Sequence, residues 1–373
     1  SYNKKESLGA FRGGHMKRVN TSDLVPGMVT AEDVYNFNNQ LILPRGIILT
    51  DSTITKLAFY SVLTLYVEDQ LVVQSTQTDD YTTSYTDRLK RSPEFTRFHK
   101  EFENDVDSFR GAMNDVIEKG SPLDVNKLMN HTLNILDLAA TTPNVFDMLH
   151  CMREYDDETY VHSMNVALIC NIFARWLRMS EEEIAKATTS GLLHDIGKIK
   201  IPDSILKKPD KLTKQEFNII KRHPQEGYRL LLDSKLDEDV LNAVLMHHER
   251  CDGSGYPFGL MANQIGTYAK MVAIADVYDA TTSARVYRGP LCPFSAISIF
   301  EDEGLQKYDP RFIMTFLENV VNTYLLNNVR LTNGTVGTVV FIHKDKLSSP
   351  TIRTAGGFVD LSTQSNLQIE ALI

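Results

Sequence analysis

From Val19 to Val73 the apolar positions come in short runs, LVPGMVT, LILPRGIIL and LTLYVEDQLVV, divided by Pro and Gly. Runs of strand length with that punctuation predict a small α/β domain, with a helix after Asp51. Gln74 to Asp87 (QSTQTDDYTTSYTD) has no apolar period and reads as a linker. Residues 94–152 return to helical spacing, broken at Gly120-Ser-Pro122 and Thr141-Thr-Pro143. They fit either helices packed on their own chain or one half of a homodimer seam.

Over residues 153–327 the period is almost wholly helical, and several helix starts are marked. Ser180-Glu-Glu-Glu183 and Thr213-Lys-Gln-Glu216 are capping boxes, in which hydroxyl and carboxylate each satisfy a free backbone N–H of the first turn. Asp237 caps a helix running to His247 and His248, and Thr267 opens one carrying Asp276 and Asp279. After Asn328 the texture changes. Asn333-Gly334 between apolar runs is a hairpin signal, VGTVVFI reads as a strand, and FVDL and LQIEALI add others. The expected architecture is mainly α: a small N-terminal α/β domain (16–73), the linker (74–87), a helical connector (88–152), a helical domain (153–327) and a small C-terminal β-rich unit (328–373). Residues 1–15 lack the apolar core of a signal peptide and read as an expression tag.

Composition narrows the class. The 373 residues are 42% hydrophobic and 23% charged, without a long apolar stretch, which excludes disordered, collagen-like and transmembrane chains. With 39 Lys and Arg against 48 Asp and Glu, the net charge of −9 provides no global field for DNA, an RNA duplex or anionic lipid. A polyanionic substrate therefore requires local positive charge. Four scattered cysteines, without a CxxC pair, form neither a disulfide framework nor a thiolate zinc site, and a reducing cytoplasm is the expected compartment.

The chemistry gathers in the helical domain. His162, His194, His223, His247 and His248 all fall there, each with a suitable neighbour. His194-Asp195 ends the apolar run GLL, where a buried imidazole and carboxylate call for a compensating cation. Glu158 and His162, four apart, share one helix face, and Asp276 lies in the otherwise apolar MVAIADVYDA. Any one of these residues alone reads as an ordinary core or surface group; five histidines and three carboxylates in this order read as a metal site. Eight side chains exceed what one ion can use, so two or three divalent ions are expected, with Asp195 as a bridging carboxylate. Imidazole and carboxylate without thiolate suit iron or manganese and leave nickel, cobalt and zinc open.

HDIGKIKIP, KPDKLTKQEF, KRHPQEGY, HHERCDGSGYP and ADVYDATTSARVYR resemble the HD-GYP family, a branch of the HD phosphohydrolases, from about Glu158 to Arg288. The resemblance implies an HD-type helical catalytic domain that hydrolyses cyclic di-GMP to pGpG and onward to GMP. It implies the metal ligands Glu158, His162, His194, Asp195, His223, His247, His248 and Asp276, with catalytic roles for Asp195 and Lys198. Lys198 would contact a phosphate. Asp279, Arg285 and Arg288 would line the nucleotide side, and Tyr256 of Gly255-Tyr256-Pro257 would touch or stack on the ligand, with glycines letting the loop approach closely. Two positions depart from the family pattern: Cys251 stands where Trp is expected, and Gly266 where Pro is common. A phosphodiester is an anion that repels hydroxide and releases a poor leaving group, and metal ions address both barriers. Three other readings stay open: a phosphodiesterase for a hybrid cyclic dinucleotide, a non-catalytic cyclic dinucleotide receptor, and a diiron oxygenase.

Overall fold

The computed structural model describes residues 16–68 and 89–373, apart from 22–23, 26, 36–40, 50–52, 55–56, 58–61, 63, 120–122, 126–127, 130–131, 133–134, 136–144, 153–157, 207, 209–211, 283–291 and 365. The chain divides into two compact units, Ser1–Thr82 and Thr83–Ile373. The proposed tag and the linker at 74–87 lie outside the described residues.

In the first unit, β1 (Met16–Asn20), β2 (Val34–Tyr35), β3 (Leu41–Leu43) and β4 (Thr64–Glu68) form two antiparallel pairs, β1 with β4 and β2 with β3. Isolated bridges join Val29 to Ile48 and Thr30 to Val67. Leu24, Val34, Leu49, Leu57, Leu65 and Val67 fill its core. This is the small mixed unit that the short apolar runs predict.

The second unit is helical and then β. It contains α1 (Pro93–Lys119), α2 (Val145–Cys151), α3 (Glu158–Trp176) and α4 (Glu181–Leu193). A 3-10 segment at Ile196–Lys200 and a single turn at Asp203–Leu206 follow. Next come α5 (Lys214–Ile220), α6 (His223–Leu231), α7 (Glu238–Met246), α8 (Thr267–Thr282), α9 (Pro293–Lys307) and α10 (Pro310–Thr323). Both expected capping boxes are made, at Ser180 with Glu183 and at Thr213 with Glu216, and Asp237 caps α7 through the N–H of Asp239. Along α3 and α8 apolar residues face every side, because both helices run through the middle of the core, among Val166, Ile169, Phe173, Val272, Ile274 and Ala275. No helix among the described residues is long and apolar enough to cross a membrane.

The C-terminal sheet is antiparallel, in the order β8-β7-β6-β5-β9, from β5 (Asn328–Leu331), β6 (Val336–His343), β7 (Lys346–Thr354), β8 (Gly357–Asp360) and β9 (Ile369–Leu372). Asn333-Gly334 makes the β5–β6 turn, with Gly334 at φ +83°, a region glycine enters without steric cost. Val329, Leu331, Val339 and Ile352 continue the helical core. Glu301 of α9 fastens the sheet to the helices. Its carboxylate accepts hydrogen bonds from the N–H groups of Leu347 (2.5 Å) and Ser348 (3.3 Å) and from the Ser348 hydroxyl.

Candidate metal centre

Three of the five histidines are held in the same way. His194 stands just past α4, His223 just past α5 and His247 just past α7, where the last carbonyls of a helix have no partner within it. Each imidazole turns back to a carbonyl three residues earlier: His194 Nδ1 lies 2.7 Å from Gly191 O, His223 Nδ1 2.8 Å from Ile220 O, and His247 Nδ1 2.8 Å from Val244 O. A carbonyl only accepts, so Nδ1 carries the proton and each Nε2 presents a lone pair. At His194 and His247 the C-terminal helix ends add partial negative charge, whereas His223 also opens α6.

Those lone pairs converge. His223 Nε2 and His247 Nε2 are 3.1 Å apart, with no proton for a hydrogen bond between them. Asp195 Oδ1 lies 3.2 Å from His223 Nε2 and 3.9 Å from His247 Nε2. Its Oδ2 faces Lys198 Nζ at 2.5 Å, His194 Nε2 at 3.3 Å and His162 Nε2 at 3.7 Å. His194 Nε2 and Asp195 Oδ1 are buried and make no hydrogen bond. An imidazole lone pair and a carboxylate oxygen buried without donors carry a desolvation penalty that a divalent cation at their focus would remove. The residues therefore fit a metal centre.

Two overlapping groups have the spacing of metal ligands: Asp195 with His223, His247 and His248, and Asp195 with His162 and His194. Asp195 belongs to both. Asp276 stands beside them, its Oδ1 3.1 Å from His162 Nε2 and its Oδ2 3.9 Å from His248 Nδ1. Titration favours this donor set. Burial lowers His248 to about 3, and burial together with the neighbouring imidazoles holds His247 well below its ordinary value, so both are neutral donors. Burial pushes Asp195 and Asp276 upward but is outweighed, for Asp195 by the adjoining Lys198 ammonium and for Asp276 by His162, leaving both ionised. His162 behaves differently: burial lowers it, yet Asp276 and Asp279 on its two nitrogens raise it to about 10. A metal ion bound there must displace that proton.

Position by position, the structure gathers His162, His194, Asp195, His223, His247, His248, Asp276 and Lys198 at one place. Glu158 begins α3, four residues before His162, but its side chain lies outside the described residues, as do Arg285 and Arg288. Asp279 is buried, its Oδ2 2.8 Å from His162 Nδ1 and its Oδ1 accepting from Asn165 Nδ2 at 3.1 Å, which holds the His162 imidazole in place. Asp276 and Asp279 are three apart on α8 and so reach the two nitrogens of one ring.

The Gly-Tyr-Pro loop is shaped from within. A Cβ on Gly255 would lie 2.4 Å from Arg250 N and from Glu249 Cα, so this glycine admits the chain's own backbone. Glu249 is 2% exposed, and its carboxylate accepts from Phe258 N (2.7 Å) and Leu260 N (2.9 Å), tying the loop together. Tyr256 stacks on His248, with ring centroids 4.6 Å apart at 26°. Burial and the Asp276 and Asp195 carboxylates raise its phenol, which stays a hydrogen-bond donor. Cys251 packs at the edge of the core, its N–H donating to Lys307 O at 2.8 Å. Sequence reasoning missed Asn165 and Glu249. Glu249 carried a signal, being a carboxylate directly after the His247-His248 pair and before the glycine turns.

Residues 137–312 match the family model for the HD domain. The matched stretch runs from before α2 into the start of α10 and includes the His194-Asp195 pair. A cyclic di-GMP phosphodiesterase of Pseudomonas aeruginosa is 40% identical over 212 residues, which are 57% of this chain and 51% of that protein. A cyclic di-GMP phosphodiesterase response regulator of Xanthomonas campestris is 43% identical over 151 residues, 40% of each chain. A 3'3'-cGAMP-specific phosphodiesterase of Vibrio cholerae is 35% identical over 191 residues, 50% of this chain and 36% of its own length. With these relatives and its Gly255-Tyr256-Pro257 loop, the chain is similar to cyclic dinucleotide phosphodiesterases over the stretch that matches the HD domain model. It spans about half or less of the length of these relatives.

Proposed function

We propose that the chain is a metal-dependent phosphodiesterase that opens cyclic di-GMP to pGpG and continues to GMP. One observation carries the reading: the Nε2 atoms of His194, His223 and His247, with their tautomers fixed by backbone carbonyls, face a buried, ionised Asp195. The eight expected ligands would hold two or three ions, most naturally iron or manganese, with Asp195 shared between them. Bound ions would supply an activated water and neutralise the phosphate oxygens. Asp195 fixes the geometry from the centre. Lys198, already against Asp195 Oδ2, can swing its ammonium toward a phosphate oxygen and add positive charge where negative charge develops. Asp279, steadied by Asn165, keeps the His162 ring oriented. Tyr256 offers its phenol as a donor beside His248. Attack at phosphorus with departure of the ribose 3' oxygen leaves a 5'-phosphorylated linear dinucleotide.

The domain division at 16–73, 74–87, 88–152, 153–327 and 328–373 and a cytoplasmic setting belong to the same reading. A second substrate class, the hybrid cyclic dinucleotide, is favoured by the Vibrio cholerae relative. The test is incubation of anaerobically metal-loaded protein with cyclic di-GMP and, in parallel, 3'3'-cGAMP, with separation of the products. Linear dinucleotide and mononucleotide are expected. Binding without turnover in iron(II), manganese and nickel would favour a receptor, and oxygen uptake with a polyol substrate would favour an oxygenase.

A further inference from the structure

Lys221 closes α5 and lies half-buried between two aromatic rings, its Nζ 5.0 Å from the centroid of Phe217 and 5.0 Å from that of Tyr256. Its surroundings differ from those of four other lysines of the helical region. Lys198 faces Asp195, Lys208 faces Glu216, Lys270 faces Asp309, and Lys186 faces both Glu182 and Asp237. Among the described residues no carboxylate pairs with Lys221. The Tyr256 ring it approaches stacks on His248, one of the candidate ligands, so a row runs from the metal centre through His248 and Tyr256 to Lys221 and then to Phe217, which is 46% exposed.

An ammonium held over aromatic faces loses part of its water, so it gains more from an anion than a lysine surrounded by solvent would. Lysine, as a point charge, accepts a phosphate from many directions. A cyclic dinucleotide carries two phosphodiesters on opposite sides of its ring. When one is at the metal centre, the other must be met by separate positive charge; Arg285 and Arg288 lie outside the described residues, and Lys221 stands directly beside Tyr256. We infer that Lys221, seated between Phe217 and Tyr256, binds the second, uncleaved phosphate of a two-phosphate substrate and so selects cyclic dinucleotides over simple phosphodiesters. The inference rests on the phosphodiesterase reading above.

The experiment compares the full-length wild type with Lys221→Met and Lys221→Arg, all metal-loaded, on cyclic di-GMP and on bis(p-nitrophenyl) phosphate, a diester with one phosphate. Lys221→Met keeps the aliphatic packing against both rings and removes the charge. It should raise KM for cyclic di-GMP about tenfold, the size of one charge-assisted contact, while changing kcat less than about threefold. The fall in kcat/KM should be at least about fivefold larger for cyclic di-GMP than for the one-phosphate diester. Lys221→Arg should recover most of the loss, and increasing salt should raise the wild-type KM more steeply than that of Lys221→Met. An equal loss on both substrates would mean that Lys221 only steadies Tyr256, and no loss on either would remove it from binding; both results overturn the inference and leave the phosphodiesterase reading standing. A wild type that cleaves the simple diester and leaves cyclic dinucleotides intact overturns both.

Discussion

The histidine cluster and the Gly-Tyr-Pro loop lie side by side and are built on opposite principles. In the cluster, each of three imidazoles is set by a helix end: the helix supplies an orphan carbonyl, the carbonyl fixes the tautomer, and the free lone pair turns toward Asp195. The loop from Glu249 to Met261 has little regular structure and is held by the buried Glu249 carboxylate, a close backbone approach at Gly255 and a bridge between Asp252 and Met261. Metal chemistry needs donors that do not move, and helix ends provide them. Substrate recognition can sit on a loop, provided something inside the protein holds it.

Removing the centre of the cluster should have the largest effect. Asp195→Asn keeps the shape and removes the shared charge; hydrolysis should fall by about a thousandfold or more, metal content should drop, and far-UV CD should match wild type. His194→Ala should behave alike, and wholesale unfolding of either variant would assign them to the core instead.

The packing beneath the cluster is next. A Cβ on Gly197 would sit 1.9 Å from His223 O and 2.5 Å from Gly227 N, so Gly197→Ala must push α6 away from the His-Asp pair. The expected cost is about 1–3 kcal/mol in denaturant unfolding, with weaker metal retention. On the loop, Glu249→Gln replaces a carboxylate that accepts from two backbone N–H groups, at a cost of about 1–3 kcal/mol. Here metal stoichiometry should be unchanged while cyclic dinucleotide turnover falls. A loss of metal in Glu249→Gln would show that the two regions are one cooperative unit and would break the contrast drawn above.

The smallest effect is expected at the exposed cap of α5. Lys208, with help from the Thr213 cap, holds Glu216 down at about 2 from an ordinary 4.5. A depressed carboxylate stabilises the fold above its unfolded value and loses that contribution as pH falls through its folded one. Glu216→Gln should therefore lower Tm slightly at neutral pH, with the gap to wild type closing between pH 4.5 and about 2. A gap that widened in acid would contradict this cap.

Much of this was legible in the chain before folding was considered. The capping boxes at Ser180 and Thr213, the Asp237 cap and the Asn333-Gly334 turn are local signals, and they form where the local rules put them. The order of His162, His194-Asp195, His223, His247-His248 and Asp276 pointed to a shared cation, and the structure brings those residues together. What stayed hidden depends on contacts between distant segments. Asn165 meets Asp279 across 114 positions, and Glu249 reaches Phe258 and Leu260 only once the loop has folded back. The role of Asp279 could have been read from its three-residue offset to Asp276, since helical period places both on one face. Gly255 was expected to let the loop approach closely, and the structure shows that the backbone it admits is that of Glu249 and Arg250.

Metal content of the anaerobically purified protein, measured by elemental analysis beside Asp195→Asn, tests the centre of this account most directly. Two or three divalent ions per wild-type chain, falling by at least one in the variant, is the predicted result. A wild type that cleaves cyclic dinucleotides while holding no metal, or a variant that keeps the full complement, would contradict it.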